Sequence, residues 1–194
     1  MAKTYNASEV QKAMLASRIG DDYFLLAYPP KRKMNDVSKL IWDLKENQPQ
    51  AIAMVISLLV PVFKKWEAQL RDVDRCRYII SIPGHEKGKI NLGCEAIAGE
   101  LTSRFTWLKH FPDALRRTRT VAKASTAASA EDRPGHSDHM KSIAYFGPRL
   151  PATESIIMID DVLTRSDTSG ACRDILIRDS KSKHVVGLFM GKTS

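Results

Sequence analysis

Two adjacent aspartates and the hydroxyl-rich turn after them are the residues of this sequence best suited to chemistry. Asp160 and Asp161 follow the apolar run Ile156–Ile159, and residues 164–169 then read Thr-Arg-Ser-Asp-Thr-Ser. A pair of carboxylates can accept hydrogen bonds from the vicinal diol of a pentose, and bonds to charged acceptors are the stronger kind. Hydroxyls and free backbone N–H groups at a helix start suit a phosphate. The pattern predicts a site for a phosphorylated sugar.

The placement of these residues in a fold supports the same interpretation. Ile156–Ile159 is too short for a helix and rich in β-branched residues, which predicts a buried strand with both aspartates at its carboxyl end. In open α/β sheets ligands bind outside the carboxyl ends of strands, and a helix is predicted to follow at Thr168–Arg178. The residues alone leave a second interpretation open, in which the aspartates end a solvated strand and Asp167 or Thr168 is a simple helix N-cap.

The segment 156–170 resembles the phosphoribosyl pyrophosphate signature of the type I phosphoribosyltransferases. Asp160, Asp161, Thr164 and Thr168 match that signature position by position. Arg165 and Ser166 depart from it, because the family usually has Thr and Gly there. The resemblance implies that the aspartates hold the ribose diol and, through water or ribose hydroxyls, Mg²⁺. It also implies that six residues bind the 5′-phosphate of the ribose: Thr164, Arg165, Ser166, Asp167, Thr168 and Ser169.

A second segment resembles the competence-associated, ComF-like branch of the same family. The apolar run Cys76–Pro83 precedes Gly-His-Glu-Lys-Gly-Lys at residues 84–89, and a helix is predicted at Asn91–Phe105. Leu40–Lys45 and the basic residues 116–119 also resemble segments of that branch, and they occur in the same order along the chain. In the family such a strand, loop and helix hold the pyrophosphate of the donor. The resemblance therefore implies pyrophosphate contacts from Gly84, His85, Lys87 and Arg117.

The resemblance implies two alternative functions. In the first, the protein binds phosphoribosyl pyrophosphate with Mg²⁺ and transfers phosphoribose to a nitrogenous acceptor, releasing pyrophosphate. In the second, it keeps the fold without turnover and senses a nucleotide or binds nucleic acid. The Arg165-Ser166 departure favours the second function. The composition of the chain is compatible with both.

The chain is basic, which predicts an anionic partner. It carries 30 Lys and Arg against 22 Asp and Glu, a net charge of +8. A diphosphate-bearing donor and a nucleic acid backbone are both attracted to such a field, and charge alone does not separate them. With 43% hydrophobic residues among 194, the chain can bury a core of its own.

Cysteines and apolar runs indicate a reducing compartment and no membrane. The three cysteines have no metal-like spacing, and no signal-peptide pattern opens the chain, so we expect a cytoplasmic protein. The longest apolar run, Ala51–Phe63, is shorter than the roughly 20 residues that cross a bilayer. It predicts a core helix, although this run and the isolated Trp42 and Trp66 also leave open a homo-oligomer or larger complex.

The order of elements predicts an α/β fold, a mainly parallel twisted sheet with helices on both faces. Residues 1–35 are predicted to form a small hood with a helix at Ala7–Arg18 and a strand at Tyr23–Tyr28. Residues 36–194 form the core domain, and residues 120–137 form a mobile flap over the site. His139 is predicted to cap a helix or to pack under that flap. The remaining elements are predicted at Asp36–Glu46, Pro49–Leu70, Thr106–Lys109, Ser142–Phe146 and Lys183–Met190.

Overall fold

The fold is known from a computed structural model, which describes residues 5–12, 14–19, 21–28, 35–70, 77–122, 133–163 and 166–193. Two predicted phosphate contacts, Thr164 and Arg165, lie outside the described residues. Cys76 and residues 123–132 of the predicted flap also lie outside them.

A six-stranded sheet forms the centre of the protein, in the order β1-β2-β8-β7-β3-β4. All neighbouring strands are parallel except β1 and β2, which are antiparallel, so the predicted mainly parallel α/β sheet is confirmed. The region predicted as a hood supplies β1 and β2 to one edge of this sheet. The strands are β1 (Met14–Ile19), β2 (Asp22–Tyr28), β3 (Arg77–Ser81), β4 (Leu108–His110), β7 (Ser155–Leu163) and β8 (His184–Thr193).

Helices cover both faces of the sheet, because successive residues of its buried strands face opposite sides. Ile157 and Ile159 of β7 belong to a core shared with α2, α3 and α4. Ile156 and Met158 belong to a second core, shared with α6. The helices are α1 (Ala7–Lys12), α2 (Asp36–Lys45), α3 (Pro49–Leu70), α4 (Leu92–Arg104), α5 (His136–Ser142) and α6 (Asp167–Ser180).

Two predicted elements differ from the structure. The helix predicted at Ala7–Arg18 ends at Lys12, and Met14–Ile19 is a strand instead. The helical pattern was overridden by pairing with β2, a tertiary contact that a single segment does not encode. The strand predicted to end at Ile159 continues to Leu163, because the long β8 offers partners to Asp160, Val162 and Leu163. The aspartates therefore lie within β7 and not after it.

A small second sheet flanks the predicted flap. Strands β5 (Leu115–Arg117) and β6 (Ile143–Tyr145) pair antiparallel, so the strand predicted at Ser142–Phe146 belongs to this sheet and not to the central one. The chain leaves β5 at Arg117 and returns through α5. Of the predicted flap, residues 120–122 and 133–135 have no helix or strand, and His136 and Ser137 already belong to α5.

The long apolar helix α3 packs against the sheet. Its residues Val55, Leu59 and Phe63 are fully buried in the core on the α2 side of the sheet, as the prediction of a core helix requires. Within the described residues, no helix has the length and apolar character that a membrane span needs.

Candidate functional site

The connections of the central sheet create a crevice between β3 and β7. From β3 the chain runs through α4 to β4 at one edge, and from β7 it runs through α6 to β8 on the other side. Helices α4 and α6 pack on opposite faces of the sheet. Such a reversal of winding opens a crevice at the carboxyl ends of the two strands, which is where open α/β sheets bind ligands. Asp160 and Asp161 lie at this crevice.

The pairing of β7 changes at the aspartates. Ser81 of β3 lies opposite Ile159, and the last backbone hydrogen bond between the two segments runs from the N–H of Ile82 to the carbonyl of Ile159 (2.9 Å). On the other side β7 stays paired with β8, with Asp160 opposite Phe189. The aspartates are therefore fixed by one neighbouring strand while their other side faces the crevice.

Two side chains from other elements contact the aspartates. Asn91 Nδ2 donates a hydrogen bond to Asp160 Oδ1 (3.3 Å), and the N–H of Asp161 donates to the same oxygen (2.8 Å). Lys45 Nζ lies 3.5 Å from Asp161 Oδ2. The Asp161 side chain is 14% exposed and that of Lys45 is 48% exposed, so a buried carboxylate is paired with a cation that reaches in from the surface.

Burial makes the ionised form of this pair costly. Burial and the neighbouring Asp161 carboxylate raise the pKa of Asp160 well above its ordinary value. Burial also raises the pKa of Asp161, although Lys45 acts in the opposite direction. A ligand that brings hydroxyl donors or positive charge to this pair stabilises the ionised form, because each interaction offsets lost hydration.

Asn91 and Lys45 are brought together by a close crossing of α2 and α4. Asn91 is the N-cap of α4, where its side-chain oxygen accepts from the N–H of Cys94 (3.3 Å). Lys45 is the last residue of α2. Between them, the backbone of Gly93 packs so closely on the carbonyl of Leu44 that no side chain fits there. Neither Asn91 nor Lys45 was predicted as a site residue, because their contacts with β7 arise only from the packing of α2 against α4.

The start of α6 holds the described part of the predicted phosphate-binding turn. Ser166 is the N-cap, and its carbonyl accepts from the N–H of Gly170 (2.7 Å) and from the hydroxyl of Ser169 (3.2 Å). Neither Asp167 nor Thr168 is the cap, because helix α6 already includes both. Ser169 is buried, Ser166 is exposed, and Thr168 lies between these extremes. Thr168 and Ser166 are therefore the described hydroxyls that can reach a ligand at this helix start.

The loop after β3 rests on β5 and the residues that follow it. The N–H of Lys87 donates to Thr120 Oγ1 (3.0 Å), and the carbonyl of His85 accepts from the N–H of Val121 (3.0 Å). Gly88 has a φ of +73°, a left-handed conformation that glycine adopts without a steric cost. His85 Nε2 lies 3.2 Å from Glu86 Oε1. The predicted pyrophosphate residues Gly84, His85 and Lys87 thus belong to one folded loop.

Arg117, which the resemblance implies as a pyrophosphate contact, has hydrogen bonds within the protein. Its side chain lies in the wall of a cavity, but the residue is only 3% exposed. Its Nε donates to the carbonyl of Gly84 (2.9 Å), and one terminal nitrogen donates to Ser142 Oγ (2.6 Å) and lies 3.1 Å from His139 Nδ1. Arg117 therefore braces the loop after β3 against α5. His139, predicted to cap a helix or pack under the flap, is buried in this network.

A cavity of about 440 Å³ adjoins the aspartates through Asn91, which lines it. Exposed cations stand around it, namely Lys87, Lys89 and Arg116. Its floor contains Glu95, whose carboxylate accepts from Ser81 Oγ and lies 2.7 Å from His110 Nε2. Burial alone would raise the pKa of Glu95, but the hydrogen bonds from His110 and Ser81 lower it. No sequence pattern pointed to this acid, since Ser81 and His110 belong to two other elements, β3 and β4.

The described residues do not form a complete metal cage. Among them, no cluster of three or more His, Cys, Asp or Glu side chains is arranged to hold a metal ion. Mg²⁺ requires few direct protein ligands and usually keeps several waters or substrate oxygens. Two carboxylates at a crevice fit an ion that a phosphorylated ligand carries in. His136, in contrast, pairs with Asp174 (2.9 Å) on the outside of α6.

The N-terminal tyrosines pack against the first core and the helices that share it. Tyr5 donates to Asp43 Oδ2 (2.9 Å), and the ring of Tyr23 packs edge-on against Trp66 with centroids 4.7 Å apart. Tyr28 packs into the same core. They hold the edge of the sheet to α2 and α3.

Comparisons with known proteins do not assign a function to this site. No model of a known protein family matches the chain, and no curated protein matches it. What the protein does is therefore inferred from its residues and their arrangement.

Proposed function

We propose that the protein binds phosphoribosyl pyrophosphate, or a nucleotide with the same sugar phosphate, together with Mg²⁺ in the crevice between β3 and β7. In the enzymatic form of this proposal, the phosphoribosyl group passes to a nitrogenous acceptor and pyrophosphate is released. The resemblance of segment 156–170 to the phosphoribosyltransferase signature supports the choice of ligand.

One observation carries the proposal: two adjacent carboxylates, largely buried, lie at the crevice where the sheet reverses its winding. Asp160 is bonded to Asn91, and Asp161 is paired with Lys45. Two buried carboxylates stabilise the fold less than apolar residues would at the same positions, because their ionised form loses hydration. Stability alone therefore does not explain why they are there. The pair is well suited to a polyol, whose vicinal hydroxyls donate one hydrogen bond to each carboxylate.

The other parts of the site follow from the shape of the ligand. The 5′-phosphate lies at the start of α6, where backbone N–H groups and the hydroxyls of Ser166 and Thr168 meet the positive end of the helix dipole. The pyrophosphate lies toward the cavity, near Lys87 and Lys89. Mg²⁺, when bound, neutralises the charge of the leaving pyrophosphate. Asp160 and Asp161 hold the sugar so that its anomeric carbon faces the acceptor.

The test is calorimetric titration of phosphoribosyl pyrophosphate in the presence of Mg²⁺. We expect Asp160→Asn and Asp161→Asn each to weaken binding about tenfold or more, because each loses a charge-assisted hydrogen bond. Asp179→Asn is the matched control, since Asp179 pairs with Arg178 at the far end of α6. Equal binding by the wild type and both site variants would refute the proposal. Pyrophosphate release with a panel of nitrogenous bases then separates a transferase from a binding protein.

Nucleic acid binding is a second candidate, favoured by one surface feature. At the mouth of the cavity the Phe146 ring is 56% exposed, and the guanidinium of Arg116 lies over it at 4.9 Å from its centroid. An exposed ring among cations can stack a base while the cations contact phosphates. This candidate requires no turnover.

A further inference from the structure

A continuous chain of polar contacts joins the two anion-facing parts of the crevice. It begins at the carbonyl of Gly84, in the loop after β3, and passes to Arg117. From Arg117 it continues to His139 Nδ1 (3.1 Å), and from His139 Nε2 to Thr168 Oγ1 (3.1 Å) at the start of α6. The chain thus connects the predicted pyrophosphate loop with the predicted phosphate-binding turn.

The chemistry of Arg117 fixes the direction of every hydrogen bond in this chain. A guanidinium has five N–H donors and no acceptor, so His139 Nδ1 must contribute a lone pair. A neutral imidazole carries its proton on the other nitrogen, so His139 Nε2 is the donor to Thr168 Oγ1. Thr168 accepts from His139, which leaves the hydroxyl hydrogen of Thr168 free to point at another group. A phosphate, which only accepts, is the natural partner.

We propose that His139 is a positioning residue: held as the Nε2–H tautomer by Arg117, it orients the Thr168 hydroxyl as a hydrogen-bond donor to the phosphate of the bound sugar. The inference rests on the proposed function for its ligand, while the tautomer follows from the protein alone. His139 does not touch the ligand. Its effect passes through Thr168.

The surroundings of His139 keep its ring neutral. The residue is 7% exposed, and burial together with the Arg117 charge lowers its pKa, whereas Asp167 of α6, Asp138 of α5 and a hydrogen bond with the backbone of Pro134 act in the opposite direction. Protonation would give Nδ1 a hydrogen that points at the Arg117 cation. The contact would then be broken, and the Thr168 hydroxyl would lose its fixed orientation.

The tautomer is tested without any ligand, by nitrogen-15 NMR of the histidine rings. The chain has five histidines, and the His139→Gln variant assigns the signal of His139. We expect His139 to show a protonated Nε2 and a bare Nδ1, and to keep this state to pH values below the ordinary histidine range. The Nδ1–H tautomer, or titration in the ordinary range, would overturn the inference whatever the protein binds.

The effect on the phosphate is tested with ribose 5-phosphate and Mg²⁺ by calorimetry between pH 5 and 8. We expect His139→Leu and Thr168→Val each to weaken binding roughly tenfold, and the double variant to be no weaker than Thr168→Val alone. His139→Gln keeps an acceptor and a donor and should restore binding. The ratio of the affinity of this variant to that of the wild type should stay constant through the ordinary histidine range and rise only toward pH 5. Taking the ratio cancels the titration of the ligand itself.

The outcomes separate the two proposals. Wild-type binding that His139→Leu leaves unchanged, or additive effects in the double variant, would overturn the positioning role and leave the proposed function standing. Absence of ribose 5-phosphate binding by the wild type, with the expected tautomer present, would count against the proposed ligand. Thr168→Ser, which retains the hydroxyl, controls for packing, and melting curves of every variant establish that it is folded.

Discussion

At the scale of single residues, the aspartate pair stands out because it lowers stability. A native pKa above the unfolded value means that the folded state prefers the neutral carboxyl. The contribution of Asp160 to the free energy of unfolding is therefore full at a pH below its unfolded pKa of about 4, and it is lost as the pH rises through the elevated native pKa. At neutral pH, Asp160 therefore lowers the free energy of unfolding, as residues at functional sites commonly do.

Asp160→Asn should consequently raise stability in the absence of ligand. The expected gain near pH 8 is about 1.4 kcal/mol for each unit by which the native pKa is raised, and the gain should vanish near pH 4. The amide oxygen of Asn can still accept from Asn91. Urea unfolding at the two pH values measures the difference. Asp179→Asn should show no such gain, because Arg178 lowers the pKa of Asp179. If Asp160→Asn were no more stable than the wild type at pH 8, the interpretation of Asp160 as a costly buried charge would be wrong.

How far the sequence predicts single site residues depends on whether their contacts are local. Asp160, Asp161 and Thr168 sit in one contiguous segment, so spacing could predict that the strand with the aspartates leads into the helix with Thr168. Lys45 lies more than a hundred positions from Asp161, and no local pattern marks it. The contacts of Arg117 with the Gly84 carbonyl and with His139 could not be predicted either, because these partners come from distant segments.

At the scale of elements, the crossing of α2 and α4 sets the geometry of the aspartate pair. Gly93→Ala would place a methyl group against the Leu44 carbonyl, which forces the helices apart. We expect a loss of about 1–3 kcal/mol in the free energy of unfolding, as for other overpacked sites. Because Asn91 and Lys45 flank this crossing, ligand affinity should fall as well.

Gly99→Ala, in the same helix, is the matched control. A methyl group there has open space, and alanine is the better helix former by about 1 kcal/mol, so this variant should be more stable than the wild type. Urea unfolding of both variants provides the comparison. If Gly93→Ala were as stable as Gly99→Ala, the close approach of the two helices would be refuted.

The elements that could be predicted are those with strong periodicity or long apolar runs. Helix α3 begins and ends where it was predicted, at Pro49 and Leu70, and α4 (Leu92–Arg104) is one residue shorter at each end than the helix predicted at Asn91–Phe105. Strands β1 and β5 were not predicted. Each depends on a partner strand whose position only the tertiary fold defines.

At the scale of the whole molecule, the net charge of +8 attracts anionic partners. The salt dependence of oligonucleotide binding tests whether nucleic acid is one of them. If nucleic acid is the partner, affinity for a single-stranded oligonucleotide should fall with a log–log slope of about −0.7 per contacted phosphate. Arg116→Gln should then reduce that slope by about one such contact. Arg178→Gln, at the far end of α6, should leave it unchanged. Fluorescence anisotropy across a salt series measures both slopes, and a slope near zero for the wild type would exclude this candidate.

The central sheet divides the candidate site between two separate apolar layers. Lys45 and Asn91 belong to the layer of α2 and α4, whereas Thr168 and His139 belong to that of α6 and α5. Side chains on one face of a sheet do not touch those on the other. If the proposed ligand is held from both sides, its binding energy links two layers on opposite faces of the sheet, and loosening of either layer lowers its affinity.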